Sequence, residues 1–169
     1  VYPKSSYEGH ILINGETKQF QSIKDSEKAG IAVIYQELAL IKYMNVSENI
    51  FLGNELAKNG LIDWDETHLR ASEVLDEVGL KINPSTTVIN LGIGTQQMIE
   101  IAKAIAKKAQ ILVLDEPTSA LTETEIGNLL ELLRSFKSKG MTCIFISHKL
   151  KEVFAIADRI TVLVDGKTA

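Results

Sequence analysis

Three short runs in the second part of the chain, ILVL at 111–114, TCIFI at 142–146 and RITVLV at 159–164, are too apolar to alternate. A strand with one wet face alternates, so runs like these read as strands covered on both faces, as in a mostly parallel sheet. The segments between them read as helices. Thr122 and Glu125 form a capping box, Ile126, Leu129, Leu130, Leu133 and Phe136 repeat at helical spacing, and Gly140 ends the pattern. Strand, helix, strand, helix, strand is the order of an α/β fold with helices flanking a mainly parallel sheet.

Upstream, HILING alternates and Asn14-Gly15 is a strong hairpin signal, so residues 10–20 read as a small antiparallel hairpin. DSEKAG reads as a short helix closed by Gly30, and IAVIY as a strand with Gln36 at its end. Asp65 is the expected N-cap of a helix with Leu69, Val74, Leu75 and Val78 on its apolar face, stopped by Gly79. MIEIAKAIAKKA repeats the pattern with Met98, Ile101, Ala102 and Ile105, and its lysines lie near the end where the dipole favours them. Residues 40–92 are poor in strand signals and read as a helical insertion.

A chain of 169 residues with 45% hydrophobic and 24% charged residues suits one globular unit with a real core. The net charge of -4, with both signs interspersed, disfavours direct binding to nucleic acid or anionic lipid. No apolar stretch approaches the roughly 20 residues that span a bilayer, and the reading is of a soluble chain. Cys143 is the single cysteine and sits in an apolar run, where core packing is the expected role.

Asp115 and Glu116 stand just past the carboxyl end of a strand, the edge where open α/β sheets bind ligands. Mg²⁺ on a phosphate needs a hard oxygen ligand and hydrolysis needs a base near a water, two tasks that adjacent carboxylates can divide. Paired acids at strand ends are also common without such a task. Gly92 and Gly94 in LGIGTQQ precede a helix whose first amides are unpaired, which suits an anion or simply a turn. Ser147 and His148 follow the TCIFI strand at the same sheet edge, where a lone histidine is commonly structural.

Taken together and in order, Gln36, LGIGTQQ, ILVLDEPTSALT and ISHKL resemble the nucleotide-binding domain of ABC transporters, a joint pattern far more specific than its parts. Gln36 matches the Q-loop glutamine, Leu91 to Gln96 the signature motif, Asp115 and Glu116 the Walker B pair, Ser119 to Thr122 the D-loop, and His148 the switch histidine. YQELALIKYMNVSENIFLGNE and IEIAKAIAKKAQILVLDEPTSALTETE resemble the monosaccharide importer ATPases, which carry two fused ATPase domains. VYPKSSYEGHI and LGIGTQQ are similar to the first of those domains in the xylose-importing members.

The resemblance implies a P-loop NTPase-like sheet in three sections: 1–36 with the hairpin and Q-loop strand, a helical subdomain at 37–92, and a core at 93–169. It implies ATP and Mg²⁺. Glu116 would polarise the attacking water, His148 would bind the γ-phosphate, Asp115 would hold Mg²⁺ through water, and Gln36 would sense the metal. Gln36, Leu91, Gly92, Gly94, Thr95, Gln96 and Ser119 would contact nucleotide. The implied partners are a second ATPase domain, of the same or a sister chain, and a membrane permease subunit contacted through residues 37–53. Leu38, Leu40, Ile41, Tyr43 and Met44 would supply exposed apolar groups there. The implied place is the cytoplasmic face of the cell membrane, as a peripheral subunit.

The sequence departs from the family pattern at three points. Gly92 occupies the serine position of the commoner Leu-Ser-Gly-Gly-Gln signature and Thr95 its final glutamine, and Thr122 replaces the usual D-loop aspartate. A P-loop, GxxxxGK followed by Ser or Thr, is not found in these residues; DGKTA at 165–169 has Thr161 where the first glycine belongs. The resemblance therefore implies a fragment beginning after the P-loop, inactive by itself. It also implies that the P-loop strand is missing from between 143–146 and 160–164, and the expectation is that these two segments pair directly. A soluble ABC ATPase of translation or DNA repair and a non-enzymatic docking module are the competing readings.

Overall fold

The computed structural model describes residues 8–169; residues 1–7, which open the VYPKSSYEGHI stretch and the first expected section, lie outside the described residues. The chain starts with an antiparallel hairpin, β1 (Ile11–Ile13) and β2 (Glu16–Lys18). Asn14 and Gly15 both take positive φ, 52° and 81°, as the tight two-residue turn requires. Helix α1 (Ile23–Lys28) follows, its N-terminus closed by a capping box between Ser22 and Asp25. Gly30 then turns the chain into β3 (Ile31–Ile34).

The region after β3 holds two α-helices, a 3-10 turn and one small hairpin. Helix α2 (Val46–Phe51) is capped by Asn45, and β4 (Ala57–Lys58) pairs with β5 (Leu61–Ile62). Helix α3 spans Trp64–Glu77, and its N-cap is Asp63, whose carboxylate accepts the Glu66 N–H at 3.1 Å. Asp65 therefore lies inside the first turn, where its charge still complements the dipole. The buried face of α3 is Thr67, Ala71 and Leu75, with Val78 just past its end; Leu69 points to solvent. Starting the helix two residues earlier does not alter this: Leu69 is off the 67/71/75/78 stripe in either case. A 3-10 turn at Val88–Asn90 leads into α4 (Ile93–Ala106).

Helix α4 is the spine of the fold. Ile99, Ile101 and Ala102 are fully buried, and the helix packs on α2, α3 and β3. It returns the chain to β6 (Ile111–Asp115), then α5 (Glu123–Ser138), β7 (Thr142–Ile146) and α6 (Leu150–Ile156). The sheet is parallel with order β3-β6-β7, in register Ile34↔Leu114 and Leu114↔Phe145. That register puts Ala32, Ile34, Leu112, Leu114, Cys143 and Phe145 on one face. Leu112 and Leu114 are 0% exposed, within the core that includes Ile99 and Ile101 of α4 and Leu129, Leu133 and Phe136 of α5. Cys143 is half-buried against that core, and burial pushes its thiol pKa up, in keeping with a packing role.

Two expectations about strands are corrected. The sheet is not covered on both faces throughout: Ile144 and Ile146, on the opposite face of β7, are 49% and 47% exposed. Their apolar run came from the sequence alone, which cannot tell an uncovered apolar face from a covered one. Second, 160–164 does not pair with 143–146. Only Leu163–Val164 (β8) forms a strand, in a hairpin with Lys167–Thr168 (β9), and β7 pairs with β6 alone. Asp165 and Gly166 take positive φ, 50° and 75°, and make a two-residue turn. Closing that turn constrains far less chain than a parallel crossover from β7 would. Residues 157–169 are all exposed. Among the described residues, no helix is long and apolar enough to cross a membrane.

Candidate functional site

Parallel strands deliver their carboxyl ends to one edge of the sheet, and three of the expected site segments arrive there together. Gln36 follows β3, Asp115 ends β6 with Glu116 next, and Ser147 and His148 follow β7. Asp115 aligns with Ile146 across the ladder, and the Glu116 N–H continues it by donating to the Ile146 carbonyl at 2.9 Å. Glu116 then takes φ +45°, a left-handed conformation that a residue with a Cβ adopts at some expense. The sharp turn swings its side chain toward the β7 end. His148 Nδ1 lies 3.0 Å from Glu116 Oε1. The pair is reachable, with the histidine side chain 70% and the glutamate side chain 32% exposed.

Ser119 is exposed, and its N–H donates to the Glu116 carbonyl at 3.2 Å, closing the turn that follows β6. The signature segment approaches the sheet edge from the side of α4. Leu91 follows the 3-10 turn, and Gly92 is the N-cap of α4 without a side-chain bond to offer. The first amides of α4 are thus left without a side-chain acceptor. Gly94 is buried and Thr95 half-buried in the first turn. Gln96 is spent on structure: its side-chain amide donates to the Leu91 carbonyl at 2.8 Å. A cleft of about 460 Å³ joins the regions, lined among others by Gln36, Ile93, Gln96, Gln97, Pro117 and Ser119. The structure therefore gathers Gln36, Gln96 and Ser119 on one cleft, and pairs Glu116 with His148 beside Asp115.

The first turns of α4 and α5 also touch. Glu125 accepts the Thr122 N–H and the Thr122 hydroxyl, both at 2.8 Å, and these bonds hold its carboxyl below the ordinary carboxylate range. The same carboxylate lies so close over Gly94 that a methyl there would collide with it. Only glycine fits that approach without moving Glu125.

Sequence reasoning missed a second set of polar residues. Thr118 and Glu152 are buried and share a 2.6 Å hydrogen bond, with Ser147 and Lys149 alongside. The signal was present: Glu152 falls with Val153 and Ile156 on the inward stripe of α6. Of the apolar residues expected to be exposed in 37–53, Ile41 and Tyr43 are, the latter 84% exposed, but Leu40 is in the core and Leu38 and Met44 are half-buried. Among the described residues no group of three or more His, Cys, Asp or Glu converges as a metal cage. Asp115 and Gln36, oxygen donors at adjacent strand ends, suit Mg²⁺, which takes one or two protein ligands and fills the rest with water and phosphate.

Comparison with known proteins defines the class. The sequence pattern of the ABC transporter family matches residues 2–119, and this chain belongs to that family. It is 62% identical over 168 residues to the xylose import ATP-binding protein XylG of Thermoanaerobacter pseudethanolicus, covering 99% of this chain and 33% of that protein. It is 53% identical to the L-arabinose transport ATP-binding protein AraG of Geobacillus stearothermophilus, with the same coverage. The chain thus spans about a third of the length of these relatives. Its fold superposes on the ATP-binding cassette MJ0796, solved as a post-hydrolysis dimer bound to ADP and Pi, with TM-score 0.77, 24% identity, 95% of this chain and 71% of that chain. CbiO1 of Clostridium perfringens, part of the ABC transporter complex cbiONQ, gives TM-score 0.78 at 24% identity, over 96% of this chain and 64% of that chain.

Proposed function

We propose that these residues belong to the ATP-hydrolysing subunit of a monosaccharide importer, with xylose as the sugar. The observation that carries the hydrolytic reading is the Glu116–His148 contact of 3.0 Å beside Asp115, at the ligand-binding edge of the sheet. Glu116 is placed to accept a proton from a water, and its contact with His148 Nδ1 anchors the exposed imidazole beside the place where a γ-phosphate would lie. Gln36 and Asp115 would hold Mg²⁺, which when bound would neutralise charge on the phosphates. The unpaired amides at Gly92, Ile93 and Gly94 offer an anion site for nucleotide held by a second ATPase domain, with Thr95 and Ser119 nearby. The sugar reading rests on the 62% identity to a xylose import protein.

The three sections 1–36, 37–92 and 93–169 would then act as strand support, helical subdomain and hydrolytic core. A permease is proposed to dock on the 37–53 segment at the cytoplasmic membrane face. Tyr43 stands out from a loop that Asn49, fully buried, clamps by accepting the Ile41 N–H at 2.8 Å and donating to the Ile41 and Asn45 carbonyls. An exposed aromatic on a rigid loop is suited to a protein contact.

In the full-length gene product, Glu116→Gln is expected to slow ATP hydrolysis by roughly 10² to 10⁴, the worth of a positioned base. Undiminished turnover would remove the hydrolytic reading. Uptake of labelled xylose in cells with the gene deleted tests the sugar: loss of arabinose uptake with xylose uptake intact would reassign it. The 169 residues alone, with no GxxxxGK stretch, are expected to show no ATPase activity and only very weak Mg-ATP binding by calorimetry.

A further inference from the structure

Glu152 has no part in the roles above, yet it is among the most deeply placed charged side chains of the chain, 7% exposed on α6. A carboxylate taken out of water is strongly unfavourable unless donors surround it. Here the donors come from two different strand-end loops. Thr118 gives its hydroxyl proton to Oε2 at 2.6 Å, and the Ser147 hydroxyl faces the same oxygen at 3.5 Å. The Lys149 ammonium lies 3.4 Å from Oε1 and also donates to the Thr118 carbonyl at 2.9 Å. The Lys149 N–H donates in turn to Ser147 Oγ at 3.0 Å.

The placement of these partners is what gives the cluster a consequence. Thr118 stands two residues after Glu116, and Ser147 and Lys149 flank His148 on either side. One buried carboxylate therefore ties together the turn that aims the glutamate and the turn that aims the histidine. The Glu116 backbone is strained at φ +45°, and an unsupported turn would relax out of that conformation.

We infer that Glu152 is a positioning residue for hydrolysis: through Thr118 and the Ser147–Lys149 turn it holds Glu116 and His148 in contact and aimed at the same point. The inference rests on the ATPase reading above. It concerns the geometry of the pair, so its signature is a loss in kcat that exceeds any change in KM for ATP, to which the displaced His148 contributes one contact among several.

The test uses the full-length protein assembled with its permease. Steady-state ATPase rates and the thermal unfolding midpoint are measured for Thr118→Val, Thr118→Ser, Glu152→Gln and the double variant Thr118→Val/Glu152→Gln, with Glu116→Gln as control. Thr118→Val keeps the shape and deletes the hydroxyl; it should lower kcat roughly 10- to 100-fold, as misplacement of catalytic groups does. Thr118→Ser should restore most of the rate. The double variant should be no slower than its slower parent, because both changes break one link. A Thr118→Val protein with wild-type kcat, a Thr118→Ser protein as slow as the valine variant, or a double variant whose losses multiply would each overturn the inference. Should Thr118→Val fail to fold, Lys149→Met, at the exposed end of the cluster, carries the same expectation of a kcat loss larger than any change in KM. Glu116→Gln separates the two levels: if it leaves turnover intact the ATPase reading fails, and if it abolishes turnover while the Thr118 variants run normally, only the role of Glu152 fails.

Discussion

The two faces of the sheet are built from similar residues and end in different environments. On one face, Leu112 and Leu114 lose all contact with water beneath α4 and α5. On the other, Ile144 and Ile146, one strand away, keep about half of their surface exposed. Apolar character alone does not distinguish Leu114 from Ile146. What distinguishes them is the helix that arrives over one and not over the other. Stability is therefore concentrated in the α4–β6 half. The Glu116–His148 pair projects from the β6–β7 edge between the two halves, held by backbone ladder and by the Glu152 cluster.

That comparison can be broken directly. Leu114→Ala in the full-length protein should lower stability by about 2 to 5 kcal/mol, the usual result of emptying a packed site. Ile146→Ala, measured on the 169 residues alone, should lower it by under about 1 kcal/mol, since the side chain has little burial to lose. Equal losses for the two in denaturant unfolding would show that the faces are not energetically distinct. The same Ile146 variant in the full-length protein sharpens the point: a loss approaching that of Leu114 would mean that other parts of that protein cover this face.

Local signals carried most of the fold. The capping box at Thr122 and Glu125, the Asn14-Gly15 turn and the α5 stripe are each decided within a few residues, and each stands as read. Cover is not local, so the bare face of β7 was invisible, and so was the choice of 163–164 to pair with 167–168. Asp165-Gly166 is itself a local turn signal, and it favours the hairpin over the parallel pairing that the family resemblance implies. At the site, the strand-end positions of Asp115, Glu116 and His148 were legible because strand ends are. The contact between Glu116 and His148 depends on the φ of one residue, and the Glu152 cluster on which side of a seven-residue helix turns inward.

The covered half contains a finer contrast, where α4 meets the start of α5. Gly94→Ala must push the Glu125 carboxylate aside and so forfeit its bonds to Thr122, a capping loss of about 1 kcal/mol. Glu125→Ala forfeits the same bonds first. In that background Gly94→Ala should be nearly neutral, or mildly stabilising through alanine's better helix propensity. Urea unfolding of the two singles and the double gives the cycle. Additive losses would mean that the glycine is required for something other than the glutamate lying over it.

The smallest effect belongs to a carboxylate inside the covered half. Glu100 on α4 is nearly buried, and one of its oxygens has no hydrogen-bond partner. Burial pushes its pKa above the ordinary value near 4.5, while Lys103, the Ala39 N–H and Lys107 pull it partway back. A carboxyl group raised in this way favours the folded state most when protonated. Its contribution is fully present below pH 4.5 and is lost as the pH rises through the folded value. Glu100→Gln removes the ionisation and keeps the shape. The variant should therefore gain on the wild type as pH rises from 4.5 toward neutrality, and the two should converge at the acid end. Denaturation midpoints at several pH values, in buffers of matched ionic strength, read the gap. Lys107 is also paired with Glu27 at 2.7 Å, so Glu27→Gln in the same series shows whether that ion pair carries the pH dependence instead. A gap between Glu100→Gln and wild type that stays constant with pH would mean that this carboxylate finds a partner or water in the folded protein, and that the covered half is wetter at α4 than its burial implies.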